Sequence, residues 1–153
     1  LVPGNAHPAF VEARKEPRAA FFFDKLAQLG KHENFTLAAI AASHADGRYD
    51  EIYVHSKLAL VDDAWCTIGS TNVAERSFHQ DTELNASFWH PESARALRQE
   101  LLREHLDLDT QDLDGRAALR AFHQIARSNA DRRVCWEPLA GLAYAVDPVD
   151  YGA

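Results

Sequence analysis

Apolar and polar positions along the chain predict alternating helices and strands. From Pro17 to Leu29 apolar residues fall at Ala19, Phe22, Phe23, Leu26 and Leu29, the spacing of one helical face, and Gly30 follows in the C′ position where helices commonly close. Phe35 to Ala42 is an apolar run too short for a typical helix, and the polar turn Ser43-His44-Ala45-Asp46-Gly47 follows it. It reads as a buried strand. Glu51 to Val61 and Ala64 to Ile68 read as two strands joined by a tight turn at Asp62-Asp63. Val73 to Ser77 offers a short helical turn, and Leu84 to Trp89 resumes strand character. Pro91 opens an amphipathic helix through Leu106, with Ala94, Leu97, Leu101 and Leu102 on or near one face. After an acidic stretch from Asp107 to Asp114, Arg116 to Ser128 reads as a further helix with Leu119, Phe122 and Ile125 aligned. The tail from Asn129, carrying Pro138, Gly141, Pro148 and Gly152, reads as irregular. Strands interleaved with helices indicate an α/β architecture, helices covering a sheet that is apolar on both faces.

Composition fits one ordinary globular domain: 153 residues, 46% hydrophobic and 25% charged. At this length a core forms without a disulfide, so Cys66 and Cys135 are expected to stay reduced. No apolar run approaches the ~20 residues of a membrane span, and no signal peptide is visible. The chain opens Leu1-Val2-Pro3-Gly4 and contains no methionine, so it reads as part of a longer polypeptide. A net charge of −7 argues against broad attachment to nucleic acid, although a local basic pocket is compatible with an acidic exterior.

The polar residues His55 and Lys57 stand out within the apolar segment Glu51 to Val61. Two positions apart on a strand, they share a face. If Asp62-Asp63 is the loop, Ser70 lies opposite His55, with Asn72 one step along the same face. If the loop is Asp63-Ala64, Ser70 faces Lys57 and Asn72 faces His55. Either register gathers His55, Lys57, Ser70 and Asn72, and Gly69 admits close backbone approach to a tetrahedral oxyanion. Lysine and asparagine donate to phosphate oxygens, and imidazole attacks phosphorus or moves a proton near neutral pH. This chemistry needs neither metal nor cofactor. Glu83 is placed to orient a histidine through its second ring nitrogen.

The pattern His55-x-Lys57-x4-Asp62-x6-Gly69-Ser70-x-Asn72, followed by Glu83, resembles the HKD motif of the phospholipase D superfamily. The motif covers residues 55 to 72, and looser similarity runs from Tyr53 to Leu106. The resemblance implies a phospholipase D-like mixed β-sheet flanked by α-helices, with residues 1–153 forming one catalytic half-domain. It also implies a two-step phosphodiester reaction, in which one motif's histidine forms a phosphohistidine and a second motif's histidine serves the leaving alcohol and then the acceptor. On that basis His55 is nucleophile or acid/base, with the acid/base role favoured. Lys57 and Asn72 bind phosphate, Ser70 lends a hydroxyl, Glu83 orients a histidine and Asp62 supports the loop.

Only one copy is present: none of the other seven histidines is followed two residues later by lysine. The expected partner is therefore a second HKD half, supplied by an N-terminal half or by a symmetric copy; the fragment-like start and the absent methionine favour the former, with this chain as the C-terminal half. A phospholipid is the expected substrate, with peripheral membrane contact, and nucleic acid is the less favoured polyanion. The alternatives are a homodimeric metal-independent endonuclease, a cardiolipin-synthase-type transferase and a non-catalytic half-domain. Simpler roles suit the remaining features. Asp107 to Asp114 lacks the glycine and terminal glutamate of an EF-hand loop and suits a solvated interhelix loop. Arg127, Arg132 and Arg133 suit a surface. Trp89, Trp136 and Tyr144 suit core packing rather than a membrane interface, and Cys66 suits a small buried filler.

Overall fold

The structure is a computed structural model that describes residues 1–6 and 8–152; His7 and Ala153 lie outside the described residues. The elements run α1 (Pro8–Arg14), α2 (Pro17–Leu29), β1 (Ala38–Ser43), β2 (Tyr49–Ile52), β3 (Lys57–Val61), β4 (Trp65–Gly69), α3 (Glu75–His79), β5 (Asn85–Trp89), α4 (Pro91–Leu106), α5 (Gly115–Val134) and β6 (Ala143–Ala145). The α/β class expected from the pattern is the one observed. Its strands divide into two three-stranded sheets, ordered β2-β1-β6 and β3-β4-β5, and every pairing in them is antiparallel.

The first sheet holds the core. Ile40 on one face of β1 packs with Leu102 and Leu106 of α4 and with Ala118 of α5, while Ala39 and Ala41 on the other face pack with Tyr144. Burial on both faces explains why β1 reads as a continuous apolar run. The second sheet is barely covered. Cys66 and Ala94 are buried where α4 meets β4, but Val61, Ile68 and Trp89 are exposed. Core packing therefore holds for Tyr144 and fails for Trp89 and Trp136, both exposed.

Helix ends follow from local chemistry. His90 caps α4 through Nδ1, which accepts the Ser93 N–H at 3.2 Å, and Pro91 stands in its first turn. Asp107 closes α4 in the left-handed conformation, with φ of 52°. Asp114 Oδ1 accepts the Ala117 N–H at 2.7 Å at the start of α5, which holds its carboxyl below the ordinary range. The acidic stretch is thus the α4–α5 connection, and two of its aspartates terminate helices. Gly30 ends α2 with φ of −60°, so its closure does not use glycine's left-handed freedom.

Three sequence-level expectations need correction. Glu51 to Val61 is not one strand: β2 pairs with β1 and β3 with β4, and the chain crosses between sheets at residues 53–56. The tail is not irregular, because α5 continues to Val134 and β6 follows. Buried Asn129 organises that tail. Its Nδ2 donates to the carbonyls of Ala140 and Ala143 at 2.8 and 2.7 Å, and its Oδ1 accepts the Ala140 N–H at 2.9 Å. Gly141 beside it, with φ of +72°, has no room for a Cβ, which would lie 2.5 Å from the Leu106 carbonyl carbon. Arg133 is also more than surface cover: it stacks on Tyr49 and Tyr144 and pairs with Glu51 at 2.6 Å.

Both cysteines are free; Cys66 is buried and Cys135 exposed. Burial pushes the Cys66 thiol up, away from the reactive thiolate. A thiol reagent such as Ellman's is therefore expected to titrate Cys135 alone in the folded chain and both cysteines in denaturant. Equal native reactivity would contradict the burial. Among the described residues, no helix is long and apolar enough to cross a membrane.

Candidate active site

The β3–β4 hairpin sets the positions of the motif residues. Asp62 and Asp63 both adopt positive φ, and the Val61 carbonyl accepts the Ala64 N–H at 3.0 Å. Pairing resumes at Val61 opposite Trp65 and ends at Lys57 opposite Gly69. The loop thus has one residue more than either register anticipated from sequence, and Ser70 falls opposite neither His55 nor Lys57. β5 instead makes the patch. Past Gly69 the chain leaves the ladder, and Ser70 pairs with Leu84: its N–H donates to the Leu84 carbonyl at 3.1 Å, and its Oγ accepts the Leu84 N–H at 3.0 Å.

Ser70 Oγ donates to Glu83 Oε2 at 2.5 Å. That bond and one from Ser77, aided by the charge of Lys57, hold the Glu83 carboxyl below the ordinary range. The Asn72 N–H donates to Ser77 Oγ at 3.2 Å. His55 lies in the crossing segment, exposed, with its ring stacked on Tyr53 at 6.1 Å between centroids. Lys57 Nζ donates to the His55 carbonyl at 2.6 Å and so ties the two motif residues together through the main chain.

Asp62 is exposed at the tip of the hairpin. The loop is anchored by its neighbour Asp63, whose carboxylate receives Arg98 Nε at 2.6 Å and Nη2 at 2.9 Å. Both side chains are largely buried, at 8% and 13% exposure. A sequence signal for this pair existed. Ala94, Arg98 and Leu102 are spaced i, i+4, i+8 on α4, so the arginine occupies the buried face, where a charge needs a partner. Ser77 and Asn85, which also hold the site, carried no such signal.

The patch is an open surface. Two surface hollows, one along α4 beside Leu97 and Asp107 and one beside Tyr151, lie elsewhere. Large apolar side chains rim the motif: Val73 is 86% and Leu84 82% exposed, and Tyr53 and Phe78 are also exposed. Lys57, the Asn72 carboxamide and His55 together offer a cation, a neutral donor and a proton carrier. Among the described residues, no group of three or more histidines, cysteines or carboxylates is placed to hold a metal ion.

The profile of a family described as cardiolipin synthase, PLD-like domain, matches residues 23–105. Among curated proteins, the cardiolipin synthase of Geobacillus sp. (strain WCH70) is 36% identical over 56 residues, covering 37% of this chain and 11% of that protein. Phospholipase D1 of Schizosaccharomyces pombe is 35% identical over 82 residues, covering 42% of this chain and 6% of that protein. The matched stretch is thus a small part of each relative. No solved structure matches the chain.

Proposed function

The chain belongs to the family described as cardiolipin synthase, PLD-like domain, and we propose that it is one catalytic half of an enzyme that cleaves or exchanges the headgroup alcohol of a phospholipid. One observation carries this reading: Lys57, Ser70, Asn72 and Glu83 gather on an open, apolar-rimmed surface rather than in a pocket. Such a surface suits a half-site closed by a second half bearing its own histidine.

In the proposed reaction the second half's histidine attacks phosphorus, forming a P–N bond as the P–O bond to the alcohol breaks. His55 gives its proton to the departing alkoxide. Neutral His55 then takes a proton from water or an acceptor alcohol, whose oxygen attacks phosphorus and breaks the P–N bond. Lys57 and Asn72 hold the non-bridging oxygens throughout. Ser70 and Glu83 keep the Asn72 segment in place, and the Glu83 carboxylate is also available to a histidine.

The test is turnover of phosphatidylcholine and phosphatidylglycerol vesicles by the full-length polypeptide. Phosphatidic acid is the product expected from water, and a phosphatidyl-transfer product is expected where phosphatidylglycerol outcompetes water. Degradation of DNA without lipid turnover would overturn the reading.

A further inference from the structure

Gly69 stands in a row across the second sheet, with Lys57 opposite it on one side and Asn85 on the other. Residues directly opposite one another share a face. A Cβ at position 69 would lie 1.7 Å from Asn85 Oδ1 and 2.4 Å from the Leu84 carbonyl oxygen. The space left by the glycine is therefore occupied by the Asn85 carboxamide, not kept open for a ligand. That carboxamide grips Thr71: Nδ2 donates to Thr71 Oγ1 at 2.8 Å, and Oδ1 accepts the Thr71 N–H at 3.4 Å. With Ser70 bonded to Glu83 and the Asn72 N–H bonded to Ser77, each residue from 70 to 72 has its own side-chain partner in the segment 77–85.

We propose that Asn85 is a positioning residue: by filling the space over Gly69 and gripping Thr71, it fixes the Ser70–Asn72 segment and so the point at which Asn72 meets a phosphate oxygen. The inference rests on the reading of Asn72 as a phosphate ligand. Alanine at 85 removes the grip. Aspartate keeps acceptors for both Thr71 donors but adds a negative charge to the row of Lys57, where it opposes an anionic substrate. The two substitutions therefore have different kinetic signatures.

Bis(p-nitrophenyl) phosphate, a chromogenic phosphodiester, serves as the probe with the full-length polypeptide. Asn85→Ala is expected to lower kcat by about 100-fold, the scale of a misplaced catalytic geometry. Asn85→Asp is expected to keep most of kcat and raise KM. Thr71→Val combined with Asn85→Ala is expected to lose no more than Asn85→Ala alone, because both act through one contact. Ser87→Ala is the structural control. It removes a neighbouring cross-strand bond on the same face, from Ser87 Oγ to Thr67 Oγ1 at 2.8 Å, and is expected to leave kcat unchanged. If Asn85→Ala lowers kcat no more than Ser87→Ala does, the positioning role is wrong.

If the unsubstituted protein turns over neither this probe nor the phospholipid vesicles, the function proposed above is overturned. Hydrogen exchange in the 153-residue chain then tests Asn85 alone. Asn85→Ala is expected to speed exchange at the Thr71 and Asn72 amides by about tenfold, with Ser87→Ala having no such effect. Unchanged exchange at both amides would overturn the inference.

Discussion

His55→Ala is expected to lower kcat of the full-length protein by roughly 10²–10⁴-fold, the range for loss of a positioned general acid–base group, with little change in thermal stability. The His55 ring is exposed and packs mainly on Tyr53, so its removal opens no cavity. Retained turnover with a folded variant would remove His55 from the chemistry. The pH profile sharpens the test. Hydrogen bonds from Ser70 and Ser77 hold the Glu83 carboxyl below the ordinary range. For a depressed acid the associated stabilisation is present above its ordinary pKa and is lost only as pH falls through the lower, folded value. Glu83 is therefore already ionised where imidazoles ordinarily titrate, roughly pH 5–8. A fall in kcat across that window reports a group other than Glu83.

The second large effect concerns stability. Arg98→Ala is expected to destabilise the chain by about 3–5 kcal/mol, because it leaves the Asp63 carboxylate in a largely buried place without its bidentate partner. For a chain of this size that lowers Tm by roughly ten degrees or more. Arg95, which reaches Asp63 at 3.8 Å from an exposed position, is a weak substitute. Replacing both partners with apolar residues, Asp63→Leu with Arg98→Met, is expected to recover much of the loss, since no unpaired charge then remains. Thermal melts of the three variants decide the matter. A wild-type Tm in Arg98→Ala would mean that the pair contributes nothing net.

The two effects divide between what the sequence announces and what it hides. Helices α2 and α4 have the boundaries their patterns predict, because proline at the start and an apolar stripe are local signals. The motif residues were also legible, since polar groups in an apolar stretch need a reason. The register was not: a left-handed Asp62-Asp63 turn followed by one extra residue changes which residues face each other, and composition does not encode that count. Sheet membership was equally hidden. Ile52 and Lys57 look like parts of one strand, yet they pair with different partners, Ile40 and Gly69. β6 escaped notice because three residues amid glycines and prolines carry no periodicity. Tertiary partners fix it, namely Asn129 and the far strand β1. Gly69 was recognised as special for a different reason, as room for a ligand, whereas Asn85 fills that room.

The pairing of β1 with β6 has a consequence for biosynthesis. Ala38 finds its partner at Ala145, so the central strand of the core sheet stays open along one edge until the segment carrying β6, more than a hundred residues downstream, has left the ribosome. The hairpins β3–β4 and β4–β5 need only neighbouring sequence and can close while synthesis continues. The nascent polypeptide thus displays the motif-bearing segment, with Val73 and Leu84 already bare, before the scaffold beneath it is complete. A stalled or truncated product presents both an unpaired edge and an apolar surface, the two features that recruit chaperones and seed aggregation.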